Sequence, residues 1–407
     1  MDGGNGAPRM IGLDDVRAAA GRIAGRVLRT PAIESEALSR ATGAAVVLKL
    51  DHLQPTGSFK ERGAANRLAQ LNETERQAGV IAMSAGNHAA AVARHASALG
   101  VASTIVMPVT TPLTKITRTQ SLGATVVLHG ESVAEAAEHA HTLAAAQGLV
   151  FIHPYDDPGV MAGQGTLALE LLEDFPDLDV MVVPVGGGGL IAGCAAAAAG
   201  LNPGMEIIGV EVQAYAALAQ TLAGRSVSVG GSTIAEGIAV RDLGQAPLAV
   251  IRAHVSDVIV VQERAVEEAL ALLAEKGKVV AEGAGATALA AVLAQPQRFA
   301  GRRVGIPISG GNIDARVLAN VLLRNLLRDG RMQRLVLEIP DRPGMLAEIA
   351  GRIASAGGNI IEVSHHRLFT SPNVQAAQLE VMFEARDPAH SAEIVASLEE
   401  SFTVRRV

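Results

Sequence analysis

The sequence contains a single cysteine, Cys194. A disulfide framework is therefore excluded, and the chain suits a reducing compartment. Positive charge is also scarce: 34 lysines and arginines face 41 aspartates and glutamates, for a net charge of −7. A nucleic-acid binder would show a basic stripe instead. Residues 1–10 hold no apolar core after their charges, so no signal peptide is expected and the location is read as cytoplasmic. One uncharged stretch, Val180 to Gly200, reaches the length of a membrane span, about 20 residues. Pro184 and the glycines Gly186 to Gly189 break it, so a buried strand, a loop and an alanine-rich helix explain it better. The eleven histidines are scattered. His365 and His366 are adjacent rather than spaced for one helix face, and read as a solvated strand pair, not a metal site. No Gly-x-Ser-x-Gly occurs, and no internal repeat is visible.

What is present is a long α/β pattern. The 407 residues, 49% hydrophobic, suffice for two or three domains of ~100–200 residues each. Near-continuous apolar runs read as strands covered on both faces. They are Val46–Leu50, Val80–Met83, Thr104–Met107, Thr125–Leu128, Val180–Val185, Ile207–Glu211, Val258–Val261 and Val304–Ile308. Helix patterns lie between them, such as Gly63–Leu71, Asn87–Leu99 and Val266–Lys276. The alternation predicts two parallel-sheet domains over residues 1–330, with a smaller one near 53–154. After residue 330 the pattern changes. Arg334–Ile339, Met345–Ala356, Ile360–Leu368, Gln375–Phe383, Pro388–Glu400 and Phe402–Val407 give a βαββαβ order, the ferredoxin-like plan, over residues 331–407.

Four glycine-marked loops carry the candidate chemistry. In Thr56-Gly57-Ser58-Phe59-Lys60, a lysine beside an aromatic sits at a strand-to-helix turn, where it can hold a carbonyl cofactor as a Schiff base. Ser58 is placed to cap the helix, and Gly57 to turn the chain. Gly186-Gly187-Gly188-Gly189-Leu190 follows a strand and opens a helix, so its N–H groups can cradle a phosphate. It lacks the Gly-Lys-Ser/Thr of a P-loop and the acidic partner of a dinucleotide site. In Ser84-Ala85-Gly86-Asn87-His88, backbone N–H groups at a helix start can take a carboxylate, and Asn87 a phenolic oxygen. His88 reads as a structural helix-start residue more than as a catalyst. Ser309, in Ser309-Gly310-Gly311-Asn312, ends a strand at the crevice where α/β sheets bind ligands. Singly, each loop also fits a capped turn or a tight helix crossing. Together they point to pyridoxal 5'-phosphate.

At these loops the sequence resembles the threonine ammonia-lyases, or threonine dehydratases, a branch of the tryptophan-synthase-β-like pyridoxal phosphate enzymes of fold type II. The resemblance spans about residues 10–325. It continues through Tyr155-Asp156-Asp157-Pro158, Ala162-Gly163-Gln164-Gly165-Thr166, Ala235-Glu236-Gly237-Ile238-Ala239-Val240, Glu282-Gly283-Ala284-Gly285-Ala286 and Ser309 to Asp314. The tail, with Asp341-Arg342-Pro343-Gly344-Met345-Leu346, resembles an ACT domain, an amino-acid-sensing module.

The resemblance implies that Lys60 holds the cofactor, with Phe59 near the ring and Asn87 at its hydroxyl. Gly186, Gly187, Gly188, Gly189 and Leu190 would bind its phosphate, and Ser309 its pyridine nitrogen. Ser84, Ala85, Gly86, Asn87 and His88 would receive the substrate carboxylate. Serine racemases share most of these loops but carry a second serine where this chain has Ala85. Some relatives bind a divalent cation near a glutamate placed like Glu211, but Tyr215 and Ala217 supply no second carboxylate, so no divalent metal is assigned and a monovalent ion stays open. ACT domains bind amino acids where two of them meet, which implies Pro343, Gly344, Asn359 and Ile360 as effector contacts in a homo-oligomer, dimer or tetramer. Isoleucine or valine is the expected effector, since threonine deamination can feed isoleucine biosynthesis. The expected partners are an amino-acid substrate and an amino-acid effector, with no nucleic acid or membrane. A lyase for another β-hydroxy amino acid, such as 3-hydroxyaspartate, or a serine racemase-like enzyme is the alternative within enzymes, and a non-catalytic amino-acid sensor the alternative outside them.

Overall fold

A computed structural model describes residues 10–366 and 376–406. Contacts divide the chain into two compact units, Met1–Ile313 and Asp314–Val407. In the first unit, strands β1 (Ala32–Glu34) and β2 (Ala45–Lys49) come early. Next are β3 (Val80–Met83), β4 (Ser103–Met107), β5 (Thr125–Leu128) and β6 (Val150–Phe151). The unit is completed by β7 (Val180–Pro184), β8 (Glu206–Val212), β9 (Asp257–Val261) and β10 (Arg303–Pro307). The larger sheet runs β1-β2-β10-β7-β8-β9 and the smaller β5-β4-β3-β6. The smaller sheet is an insertion between β2 and β7.

All eight expected strands form, each within about two residues of its anticipated ends. The central ones are apolar without alternation because both faces are covered: Val180, Met181, Val182 and Val183 are fully buried. Two short strands, β1 and β6, were not foreseen. The larger sheet is also not wholly parallel, since β1 pairs antiparallel with β2 at the edge. An edge strand needs no crossover helix, so a short return can take that direction.

Helices cover the sheets at close range. Helix Pro158–Asp174 packs on helix Lys60–Ala69 and on helix Gly189–Leu201. A Cβ on Gly163 would lie 2.5 Å from the Arg62 carbonyl oxygen, and one on Gly193 2.3 Å from that of Met161. These glycines of the family-like motifs are therefore packing residues that let backbones touch.

The Lys60 helix differs from expectation at its start. It begins at Lys60, ahead of Gly63, with Phe59 as the flanking residue, and Ser58 does not cap it. The Ser58 hydroxyl is buried without a partner. Residues 58 and 59 are instead docked on the loop after β10. The Phe59 N–H donates to the Ser309 carbonyl at 2.9 Å, and Ser58 forms a bridge with Gly310.

The second unit holds β11 (Met332–Pro340), helix Met345–Ser355 and β12 (Asn359–His366), then β13 (Ala376–Glu384), helix Pro388–Glu399 and β14 (Thr403–Arg406). Its antiparallel sheet runs β12-β13-β11-β14, the ferredoxin-like arrangement read from the sequence. Alternating Leu335, Leu337 and Ile339 face the two helices, against Ile349, Ile353 and Leu398. Gly357, at φ +85°, follows the first helix as anticipated. The expected strand ends Leu368, Gln375 and Val407 lie outside the described residues. The two units meet at Ile313 rather than near residue 330, because helix Ala315–Arg328 packs on β11. Among the described residues no helix is long and apolar enough to cross a membrane.

Candidate active site

Lys60 opens its helix with two charged neighbours, and both are buried and paired. Arg62 meets Asp51 at 2.6 Å and Glu170 at 2.7 Å, with no exposed surface on its side chain. Burial alone would lower its pKa, but Asp51 and Glu170 outweigh that and raise it. Glu61 is bonded to His95 and to the Thr56 N–H, and lies 3.6 Å from Arg94. The first turn is thus fixed by the paired side chains of the two residues that follow Lys60. Local sequence did not reveal this, because Glu170 and His95 are distant along the chain.

Among the described residues the Lys60 amine has no carboxylate within ion-pair distance. It donates to the Pro154 carbonyl at 2.8 Å and lies 5.2 Å from the centre of the Phe59 ring. Burial lowers its pKa to about 8, against the opposing pull of Glu282.

The segment from Ile152 to Pro158 ties the loops together. The Ile152 carbonyl accepts from His88 Nε2 at 2.9 Å. Burial, and next the charge of Lys60, push the His88 pKa down to about 3, so the ring is a neutral anchor. The Tyr155 ring lies against the glycine loop, where a Cβ on Gly187 would come within 2.4 Å of it. Asp156 accepts from the N–H groups of Gln245 and Ala246, and Asp157 caps the next helix through Val160.

The glycine loop and the asparagine loop both end in uncapped helices. Gly188, at φ +93°, precedes helix Gly189–Leu201, and no side chain caps it. Among the described residues no acceptor meets the N–H of Gly188, Gly189 or Leu190. Orphan N–H groups at a helix start are what a phosphate requires, so the cradle fits pyridoxal phosphate. Gly86 likewise precedes the uncapped helix Asn87–Ala98, and the Ser84 hydroxyl accepts from the Gly86 N–H at 3.1 Å.

The Ser309 loop closes the site. Its Gly311 N–H donates to the Gly57 carbonyl at 3.0 Å, and Asn312 Nδ2 to the Thr56 carbonyl at 2.8 Å. Asn87 joins this loop through Asn312 and reaches Glu282, 2.8 Å away. Glu282, not singled out as a site residue from the sequence, is half-buried, and desolvation raises its pKa to about 7. An acidic residue just before a glycine-alanine helix was the available signal.

Glu211 has another task here. Its carboxylate accepts from the N–H groups of Leu218 at 2.7 Å and Ala219 at 2.9 Å, holding the start of a short helix. Among the described residues no cluster of three or more His, Cys, Asp or Glu side chains could hold a metal ion.

The candidate effector residues are not brought together within one chain. Pro343 and Gly344 follow the end of β11 that pairs with Ala376, whereas Asn359 pairs with Glu384 at the other end of the sheet. Eight residues of strand separate the two levels, ~27 Å at ~3.4 Å per residue.

Two sheets, the Ile152–Pro158 segment that ties their loops, a half-buried lysine with no ion-pair partner among the described residues and two uncapped helix starts define an α/β enzyme built around a phosphorylated carbonyl cofactor. The chain belongs to the pyridoxal-phosphate dependent enzyme family, whose model matches residues 23–310. It is 43% identical over 387 residues to the L-threonine ammonia-lyase of Thermotoga maritima, covering 95% of this chain and 96% of that one. Among solved structures, threonine deaminase isoform 2 of Solanum lycopersicum aligns at TM-score 0.72 and 33% identity, over 77% of this chain and 94% of that one. Maize serine racemase aligns equally well, at TM-score 0.72 and 33% identity, over 79% and 99%.

Proposed function

We propose that the chain is an ammonia-lyase that converts L-threonine to 2-oxobutanoate and ammonia, and L-serine to pyruvate and ammonia. The observation that carries this reading is the 43% identity to an L-threonine ammonia-lyase over 95% of the chain. Pyridoxal phosphate, when bound, supplies a carbonyl and a conjugated ring that draws off the electron pair left at Cα. Lys60 would hold it, Phe59 would lie beside the ring, and Gly186 to Leu190 would hold the phosphate through their N–H groups. Asn87 would donate to the ring oxygen and Ser309 would meet the pyridine nitrogen. The N–H groups from Ser84 to His88 receive the substrate carboxylate. With its amine free, Lys60 would take the Cα proton; in the cofactor-free chain burial lowers the pKa of that amine to about 8.

Fold likeness does not separate a lyase from a racemase, since both solved structures align at TM-score 0.72. Ala85 favours the lyase. Its methyl group has no proton to return to the second face of Cα.

The C-terminal unit is read as an ACT-like amino-acid sensor acting in a homo-oligomer. Gly344 precedes helix Met345–Ser355 at φ +93° with open space around it, a helix start able to take an effector carboxylate. Asn359, at the opposite end, can join it only from a second copy. β12 is an edge strand with Ile361 49% exposed, and two such edges paired antiparallel would bring the two ends together.

A keto-acid release assay on a panel of β-hydroxy amino acids tests the activity, with isoleucine or valine added in a parallel series. Threonine and serine should release ammonia and their 2-oxo acids. Turnover of 3-hydroxyaspartate alone, or no keto acid from any substrate, would overturn the reading.

A further inference from the structure

We propose that Glu282 is a positioning residue that fixes the side-chain amide of Asn87, so that one Asn87 N–H is held toward the cofactor ring oxygen. The inference rests on the reading above, in which Asn87 meets that oxygen. Its own support is the hydrogen-bond chain around Asn87. Asn312 Nδ2 donates to the Thr56 carbonyl at 2.8 Å and to Asn87 Oδ1 at 2.7 Å. Asn87 Nδ2 donates to Glu282 Oε1 at 2.8 Å. A backbone carbonyl only accepts, so Thr56 fixes which end of the Asn312 amide is the nitrogen, and that nitrogen in turn meets Asn87 Oδ1. The polarity of the chain is therefore set from the Thr56 end, and the Asn87 amide has one orientation rather than two, with its Nδ2 toward Glu282. An amide nitrogen carries two hydrogens, and Glu282 takes one. The second has no acceptor among the described residues.

Glu282 is also seated for this task. Its N–H donates to the Gly310 carbonyl at 2.9 Å. A Cβ at position 310 would lie 2.2 Å from Glu282 Oε1, so the glycine of the Ser309 loop leaves the space the carboxylate occupies. Without Glu282, Asn87 would be tethered on one side only, and its free N–H would have no fixed direction.

The test is a double-mutant cycle of Glu282→Ala and Asn87→Ala in the full chain. The readouts are the dissociation constant of pyridoxal phosphate and the visible band of the bound cofactor. With Asn87 present, Glu282→Ala should weaken cofactor binding by about threefold or more and shift the band, a coupling on the usual scale for residues in one hydrogen-bond network. With Asn87→Ala in place, the same change should have little further effect. Equal fold-changes in both backgrounds would overturn the proposal, because Glu282 would then act by charge or packing alone. If Asn87→Ala by itself leaves band and affinity unchanged, the ring contact of Asn87 is the reading that fails, and the positioning role falls with it. Should Glu282→Ala not fold, Glu282→Asp withdraws the carboxylate with less loss of volume, and the same comparison decides.

Discussion

Lys49 is buried and Lys60 half-buried in the same unit, and their surroundings treat them differently. Lys49, at the end of β2, is fully buried and bonds both Glu170 at 2.5 Å and the Thr30 carbonyl at 2.6 Å. Lys60 has a carbonyl and an aromatic ring but no bonded carboxylate. Burial lowers both pKa values, and at Lys49 a bonded Glu170 opposes it. A paired ammonium in a closed network is a structural cation. An ammonium with only a carbonyl is easily deprotonated, and becomes a nucleophile and base. The contrast shows that burial alone does not make a lysine reactive; the partner decides.

The largest expected effect comes from removing the unpaired member. Lys60→Ala should lower turnover by about a thousandfold or more, within the range for losing a catalytic base, with little loss of stability. Measured kcat and thermal unfolding of the variant check both halves. Lys49→Ala should do the reverse. It leaves Glu170 short of a cation in a buried network and should cost about 3 kcal/mol of stability. The folded fraction should retain its kcat, read by denaturant titration alongside turnover.

A third, smaller effect sharpens the contrast through pH. Lys60 has a folded pKa of about 8 against 10.5 when unperturbed. Between those values the unfolded chain binds the extra proton, so wild-type stability should rise with pH across that window relative to a Lys60→Met variant. Unfolding of the two cofactor-free proteins at pH 7 and pH 10 measures the gap. A gap that stays constant would mean Lys60 is not depressed. The smallest effect belongs to the second unit. Gly344→Val should leave the basal rate unchanged and weaken the response to isoleucine or valine, on the ~1–3 kcal/mol scale of allosteric coupling. Rates with and without effector test it, and a response equal to wild type would remove Gly344 from the effector site.

The strands and loops were legible because their signals are local. β7 reads as an uninterrupted apolar run, and the glycines at 186–189 announce a helix start without a cap. The C-terminal βαββαβ order followed from alternation along β11 and the glycine after its first helix. What stayed hidden is long-range. Nothing near Lys60 indicates that Arg62 reaches Glu170, or that Pro154 receives the amine. Ser58 looked like a cap because serine before a helix usually is one. The docking of residues 58 and 59 on Ser309 and Gly310 overrode that preference. The short strands β1 and β6 carry too few residues for a periodic pattern.

The central claim is that Lys60, and not the buried Lys49, carries the cofactor. Reducing the holoenzyme with borohydride and mapping the labelled peptide tests it most directly. The label should fall on Lys60, in the peptide that follows Ser58 and Phe59. A label on Lys49 or any other lysine would contradict the assignment.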